Sequence, residues 1–335
     1  MMKRLAVFKR PMVAGGFLFI ALLLGGSILY SALVEPPQPE KMLYDRNGDI
    51  VALAPFPPSA HYPLGSDIDG NNFMLKLLEG AKFTIGLSIL VALGRMVLSF
   101  IGGYLLFLLP ASFRKFLAGL ADTFHYAPVT IFTYVLIAPV VMTFSWSYST
   151  PTKIFFPMFV LVLISVPVLS LYIQKELDLI AQKEFIDSAK IMGGSHFHIF
   201  RAHMAPFLNP KLLIIFIQQV GQVLIVFAHL GLLNVFIGGT DLRILEYDID
   251  TGEATTAAFT ISNEWAGLIA QNFQYVYSFP WMIFAPVTAF ALTILAVNAI
   301  VYGLKTDHTY KRKRKKEKAS KASYTVNSES FELRN

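Results

Sequence analysis

The sequence contains no cysteine, which excludes disulfide bonds, thiolate zinc sites, iron–sulfur clusters and a cysteine nucleophile. It also lacks the G-x-x-x-x-G-K-(S/T) pattern that cradles nucleotide phosphates, so this chain is not expected to hydrolyse ATP itself. Charged residues are scarce, at 15% of the 335 residues, against about 25% in an average soluble domain. Together these shortages argue against an ordinary cytosolic enzyme.

What the sequence has instead is long apolar runs, and 55% of its residues are hydrophobic. A helix needs roughly 20 mostly apolar residues to cross the hydrocarbon core of a bilayer, and backbone groups in lipid must be satisfied within the helix. Six stretches are long enough: 13–34, 83–109, 117–145, 154–173, 212–237 and 280–304. The sequence therefore predicts an all-α integral membrane protein with six transmembrane helices. A cleaved signal peptide is the alternative for the first stretch, but its 22 residues exceed the usual 7–15 apolar residues.

The positions of Lys and Arg predict the orientation, because cytoplasmic segments carry an excess of both. With both termini cytoplasmic, the inner segments hold 21 of the 28 Lys and Arg residues; these segments are 1–12, 110–116, 174–211 and 305–335. The segments 35–82 and 238–279 are then extracytoplasmic. The last segment is predicted to be a disordered basic tail with ten Lys or Arg residues, and the rest of the chain balances at 18 basic and 18 acidic residues. No nucleic-acid partner is expected.

The inner loop 174–211 has the pattern of two short helices joined at a glycine elbow. The first, over 177–192, places Phe185, Ala189 and Met192 on one face and stops at Gly193-Gly194, where a left-handed turn is natural. Ser195 can cap a second helix that ends near Pro206 and that carries Phe197, Phe200 and Met204 on one stripe. Because such a loop is too short for a core of its own, its apolar face indicates docking to a cytosolic partner; an amphipathic helix lying on the lipid surface is the alternative.

The same loop resembles the EAA loop of ABC importer permeases. Within EFIDSAKIMGG at 184–194, Asp187-Ser188-Ala189 occupies the place of the first triplet and Gly193 that of the glycine, and Pro206 matches the closing proline. Further segments are similar to the C-type permease of the dipeptide/oligopeptide/nickel branch: HYPLGSD at 61–67 with Gly70, Asp122 with Pro128, LGL at 230–232, EWAGLI at 264–269 and PW at 280–281.

This resemblance implies the type I ABC importer permease fold, with a permease core over 83–304, and one half of a translocation pathway for peptides. It implies as partners a second homologous permease, two ATP-binding subunits that hold ATP and magnesium, an extracytoplasmic substrate-binding protein, the peptide and the lipid bilayer. No cofactor and no metal are expected in this chain, and it is not expected to be an enzyme. The implied ATPase-coupling residues are Glu184, Asp187, Ser188, Ala189, Gly193, Gly194 and Pro206. The implied docking residues for the binding protein are Leu64, Gly65, Asp67 and Trp265.

Polar residues inside membrane helices are functional candidates by default. The fifth apolar stretch places Gln218, Gln222 and His229 on one stripe with Gln219 beside them, and the second contains Arg95, where the family is normally apolar. We predict that these five line the pathway, and that Arg95 pairs with an anionic group of the substrate or with Asp122. Interhelical hydrogen bonding is the alternative for the glutamines.

Three other functions stay open at this point: an ATP-independent secondary transporter or channel, a permease for nickel or another small solute, and a membrane-embedded enzyme. An enzyme would need its polar groups to converge at one depth of the membrane.

Overall fold

A computed structural model describes residues 10–323 apart from 36, 46, 127–128, 145–146 and 248–253, and gives only the backbone for 120–126, 245–247, 254 and 307–323. The helices are α1 Pro11–Leu33, α2 Phe73–Leu108, α3 Ala111–Tyr126, α4 Val129–Val141, α5 Thr150–Ala181, α6 Glu184–Ile191, α7 His196–Ile199, α8 Ala205–Leu232, α9 Trp265–Gln271 and α10 Trp281–Ser323. A π-helical turn, Phe200–Met204, joins α7 to α8. The strands are β1 Met42–Tyr44, β2 Ile50–Leu53, β3 Thr240–Tyr247 and β4 Ala254–Thr260.

Within the described residues, five helices are long and apolar enough to cross a bilayer: Pro11–Leu33, Phe73–Leu108, Thr150–Ala181, His196–Leu232 and Trp281–Thr306. The chain is therefore a mostly helical, multi-pass membrane protein. The predicted stretch 117–145 differs from the other five, because it is divided between α3 and α4. At 13 residues, α4 is about 20 Å long and falls short of the roughly 30 Å hydrocarbon core.

Two helices extend beyond the apolar stretches that predicted them. Helix α2 begins at Phe73, where the side chain of Asn72 accepts hydrogen bonds from the backbone N–H groups of Met74 and Leu75. Helix α10 continues to Ser323, although the chain beyond 305 was expected to be disordered. Both extensions contain charged residues that favour helix but interrupt an apolar run: Lys and Glu in the first, and Lys, Arg and Glu in the second.

Helix α2 lies at the centre of the bundle and contributes residues to three apolar clusters. The central cluster joins α2 to α1, α8, α9 and α10 around Trp265. The inner cluster contains Met96 from α2 together with residues of α5 to α8, and the outer cluster joins α2, α4, α5 and α8. Helices α2 and α5 approach closely at Gly103, where a Cβ would lie 2.8 Å from the carbonyl oxygen of Ser170.

Tertiary contacts bring together the segments that were assigned to the same side of the membrane. Nη1 of Arg10 donates to the carbonyl oxygen of Gly303 at 3.1 Å, and Arg114 pairs with Asp178 at 2.9 Å. We call this side the inner side. On the other side, the amide of Asn263 donates to Glu79 at 3.1 Å.

Both outer segments contain an antiparallel hairpin. Strands β1 and β2 pair within the first segment, and β3 and β4 pair within the second from Thr240↔Thr260 to Tyr247↔Ala254. Lys153 lies beneath the second hairpin and donates to the carbonyl oxygens of Thr143 and Thr240.

Candidate functional site

The glycine elbow of the inner loop is a left-handed helix stop. Gly193 has φ +79°, its N–H donates to the carbonyl oxygen of Lys190 at 2.9 Å, and the N–H of Gly194 donates to that of Ala189 at 3.2 Å. These two bonds satisfy the last carbonyl groups of α6 in the Schellman arrangement. The prediction of a left-handed turn at Gly193-Gly194 is confirmed.

The chain after the elbow departs from the predicted second helix. The hydroxyl of Ser195 accepts from the N–H of His198 at 3.3 Å, as expected of a cap. The helix does not end near Pro206, however; it continues through the π turn into α8 and runs from His196 to Leu232. Pro206 lies just after the π turn, which removes the need for the hydrogen bond that a proline in an α-helix cannot donate.

The elbow is packed onto the transmembrane helices by one apolar face. Ile186 and Ala189 of α6, with Ile199 and Met204, belong to the inner cluster beside Met96 of α2. Phe185 stacks on Phe207 of α8 with ring centroids 5.1 Å apart. The elbow is therefore fixed to the bundle by buried contacts.

The opposite face of the elbow exposes large apolar side chains. Ile191 is 87% exposed, Met192 is 79% exposed and Phe197 is 64% exposed. The predicted stripes are divided between the two faces, since Ala189 and Met204 are buried while Met192 and Phe197 are not. In the first stripe, Met192 is the C-cap of α6 with ψ 4°, so it leaves the helical face that Ala189 occupies. In the second stripe, the π turn Phe200–Met204 changes the rotational phase between Phe197 and Met204.

The polar coupling candidates lie on the surface of the same elbow. Glu184 and Asp187 occupy the first turn of α6, where their charge is favourable. Asp187 pairs with Lys190 at 3.0 Å, and the hydroxyl of Ser188 donates to the carbonyl oxygen of Glu184 at 3.1 Å. Pro206 is exposed too, at the start of α8.

A cavity of about 800 Å³ lies along α8. All five predicted pathway residues line it: Arg95, Gln218, Gln219, Gln222 and His229. Tyr172, Glu176, Lys211 and Lys305 line its inner end. These four lining residues were not predicted from the sequence. Lys211 lies two turns before Gln218 and could have been found by continuing the polar stripe along the helix.

Arg95 is the buried charge of this cavity, with 2% of its surface exposed. Its Nε–H donates to the carbonyl oxygen of Leu161 at 3.1 Å, and Nη1 donates to the side-chain oxygen of Gln219 at 3.3 Å. The Gln219 amide donates in turn to Gln222 at 2.9 Å. The side chain of Asp122, which was considered as a partner, lies outside the described residues.

The outermost polar residues of the stripe, Gln222 and His229, are exposed in the single chain. If these two side chains faced lipid, their polar atoms would lack hydrogen-bond partners, because hydrocarbon has no donors or acceptors. This side of the cavity is therefore suited to water or to another protein surface.

The four candidates for docking a binding protein lie together on the outer side, but three of them are buried. Asp67 pairs with Lys76 at 2.7 Å. Gly65 has φ +74°, and a Cβ at this position would overlap the indole ring of Trp281. Nε1 of Trp265 donates to the carbonyl oxygen of Leu77 at 2.8 Å. Leu64 is partly exposed. These residues hold the outer segments together, so a docked protein would touch the surface that they support.

Glu264 is a buried acid at the same place, and both of its carboxylate oxygens accept backbone hydrogen bonds at the start of α9. The donors are the N–H groups of Ala266 at 2.9 Å and Gly267 at 2.8 Å. Burial raises the pKa of the Glu264 carboxyl to about 7, although these two hydrogen bonds act in the opposite direction.

Comparison with known proteins finds relatives whose names describe peptide transport. A Brucella abortus protein named as a peptide permease is 26% identical over 263 residues, which cover 77% of this chain and 75% of that protein. SapC of Haemophilus influenzae, a peptide transport system permease protein, is 23% identical and covers 83% of each chain. DdpC of Escherichia coli, named as a permease of a D,D-dipeptide transport system, is 23% identical and covers 78% of each chain. No protein-family model matches the sequence.

Among solved structures, a chain of the methionine ABC transporter MetNI in an inward-facing conformation is similar, with a TM-score of 0.45 and 15% identity. The likeness covers 69% of this chain and 97% of that one. The resemblance drawn from the sequence motifs is confirmed by the curated relatives: over about three quarters of its length or more, the chain is similar to proteins named as peptide permeases.

Proposed function

We propose that this chain is a permease subunit of an ATP-driven peptide importer in the cell membrane, and that it forms one half of the translocation pathway. The names of the curated relatives support the substrate class. ATP hydrolysis is assigned to a separate subunit, which this chain contacts through the elbow. The six-span topology with both termini cytoplasmic, a second homologous permease, two ATPase subunits and an extracytoplasmic binding protein are parts of the same proposal.

One observation carries the proposal: a single continuous helix connects the elbow with the cavity. The helix His196–Leu232 begins at the elbow, and its residues from Lys211 to His229 line the cavity. At 1.5 Å per residue this lining is about 27 Å long, close to the roughly 30 Å thickness of the hydrocarbon core. Movement of the elbow would therefore be transmitted along a rigid element to the wall of the cavity.

The surface chemistry of the elbow suits docking to a protein. Ile191, Met192 and Phe197 are exposed around a glycine turn whose opposite face is anchored in the inner cluster. Exposed apolar groups rimmed by charged residues such as Glu184 and Asp187 are typical of a binding surface. If the elbow lay on the lipid surface instead, Ile191, Met192 and Phe197 would be buried in the headgroup region.

The exposed polar side of the cavity supports a second permease subunit. Among the described residues, Gln222 and His229 are exposed on α8, although Nδ1 of His229 lies 3.4 Å from the hydroxyl of Thr130. A homologous subunit placed against this side would enclose the cavity and leave these side chains facing a shared aqueous path.

The first experiment is purification of a tagged copy from its native membranes in mild detergent, with the bound proteins identified by mass spectrometry. We expect a second multi-pass permease and a P-loop ATPase. Recovery of the chain alone would contradict the proposal and favour an ATP-independent transporter.

A pair of variants ties ATPase recovery to the elbow. Ile191→Asp places a charge in the exposed apolar group and should reduce recovery of the ATPase while the second permease is retained. Tyr277→Asp is the matched control, because Tyr277 is 97% exposed on the outer side. Equal recovery of the ATPase by the two variants would remove the elbow from the proposal.

A further inference from the structure

Resting on the proposed function, we propose that Arg95 is the recognition site for a carboxylate of the peptide inside the translocation cavity. The ligand chemistry is a carboxylate held by one nitrogen of a buried guanidinium, with glutamine side chains beside it. The C-terminal carboxylate is the group that meets this requirement in every linear peptide, whatever its sequence.

The guanidinium of Arg95 is only partly satisfied by the protein. Nε and Nη1 have partners in Leu161 and Gln219, but Nη2 is buried without a hydrogen-bond partner. An arginine can donate five hydrogen bonds and cannot lose its charge in a protein, so an unused and buried nitrogen is costly. Arg95 lines the cavity, and a small turn of its guanidinium would bring this nitrogen to a ligand there.

The charge of Arg95 is also unmatched among the described residues. Both of its partners are neutral oxygens, and none of the ion pairs formed by those residues includes it. Glu176, an acid that lines the same cavity, already pairs with Lys211 near the inner end. A buried charge is normally matched by an opposite one, and an incoming carboxylate would supply it.

The rest of the cavity suits a peptide better than a small inorganic anion. Its volume of about 800 Å³ lies within the 300–1,000 Å³ typical of sites for drug-sized ligands. Gln218 and Gln222 offer amide groups to a peptide backbone, and Ile164, Val168 and Ile225 offer apolar surface to side chains. A carboxylate at Arg95 would thus place the remainder of a short peptide along α8.

The test uses the purified complex of permease and ATPase subunits in lipid nanodiscs, without the binding protein. Alanine di- to tetrapeptides are added either as free acids or as C-terminal amides, and binding is followed by the shift of the thermal unfolding midpoint. For the wild type we expect the free acids to bind at least tenfold more tightly than the amides. Arg95→Gln should abolish that difference, and Arg95→Lys should restore part of it.

A second variant keeps the test informative if Arg95→Gln fails to fold. Gln219→Glu places a carboxylate on the residue that already accepts from Nη1, so it should pair with Arg95 and compete with the peptide. We expect it to retain folding and to lose the preference for free acids. Lys82→Gln is the control, because it removes a cation from the same helix outside the cavity and should leave the preference intact.

Two results would overturn the inference. The first is a preference for free acids that is absent in the wild type or that survives in both Arg95→Gln and Gln219→Glu. The second is an Arg95-dependent shift that acetate or chloride reproduces in full, since the site would then take free anions. Uptake of any peptide into proteoliposomes with the complete complex tests the proposed function separately, so its failure is distinguishable from loss of the carboxylate preference.

Discussion

Substitution of Gly193 tests the elbow most directly. Its φ of +79° lies in the left-handed region, and a Cβ built at this position meets no atom within 4 Å. A side chain therefore has room, and the only local penalty is that of the backbone conformation. For alanine this penalty is about 1–2 kcal/mol, whereas asparagine tolerates the left-handed region better.

A penalty of this size corresponds to a five- to thirtyfold change in the population of the elbow conformation. We expect Gly193→Ala to weaken recovery of the ATPase and to lower peptide uptake by up to that factor, and Gly193→Asn to lose less. Gly193→Trp should abolish uptake while the protein stays in the membrane, because it adds a bulky group next to Met192 on the exposed elbow. Uptake is measured in cells at equal membrane abundance, and association by co-purification.

The control is Gly86→Ala, in the helical interior of α2, where a Cβ also meets no atom within 4 Å but φ is not positive. It should leave uptake and ATPase recovery unchanged. The reasoning is refuted if Gly193→Ala and Gly193→Trp both transport like the wild type. An asparagine variant as impaired as the alanine variant would show that backbone strain is not the cause.

Three further predictions concern stability, measured by thermal unfolding in detergent. Lys76→Met leaves the buried Asp67 carboxylate without its cation and should cost about 1.5–3 kcal/mol; adding Asp67→Asn should recover part of this loss. Gly80→Ala should destabilise by about 1–3 kcal/mol, because its Cβ would overlap the carbonyl oxygen of Asn263, and an unchanged midpoint would contradict the packing of α2 against this loop. Since burial raises the pKa of the Glu264 carboxyl from 4.5 to about 7, the unfolded chain releases its proton first. Wild-type stability should therefore fall as pH rises between these values, and Glu264→Gln should lack that slope.

The membrane-spanning helices could be predicted because their signal is additive and local. A run of apolar residues suffices to identify five of the spans, whatever they pack against. The extension of α2 back to Phe73 was missed because it depends on the cap at Asn72 and on contacts with the outer segments. The hairpin of β3 and β4 was missed as well, since the pairing of two strands is a non-local property.

The candidate site, too, could be predicted from the sequence only in part. Gly193 and Ser195 were identified because a left-handed helix stop and an N-cap depend on residues that are adjacent in the sequence. The exposed apolar group of Ile191, Met192 and Phe197 could not be derived, because it depends on the helix end at Met192 and on the π turn after Ile199. Asp67 and Trp265 were assigned to a surface, yet only the fold reveals that both are buried.

The inner cluster gives the elbow a second route to the cavity, through α2. Met96 packs in that cluster with Ile186 and Ala189 of α6, and the preceding residue is Arg95, which lines the cavity. A displacement of the elbow would therefore act on the cavity from two sides, along α8 to its glutamines and through Met96 to the guanidinium. Because Nη1 of Arg95 bonds to Gln219 across these two helices, relative movement of α2 and α8 would change the geometry of that bond. Coupling of this kind would change the affinity for a bound carboxylate at the moment the cavity changes shape, which a pathway lined only by apolar residues could not do.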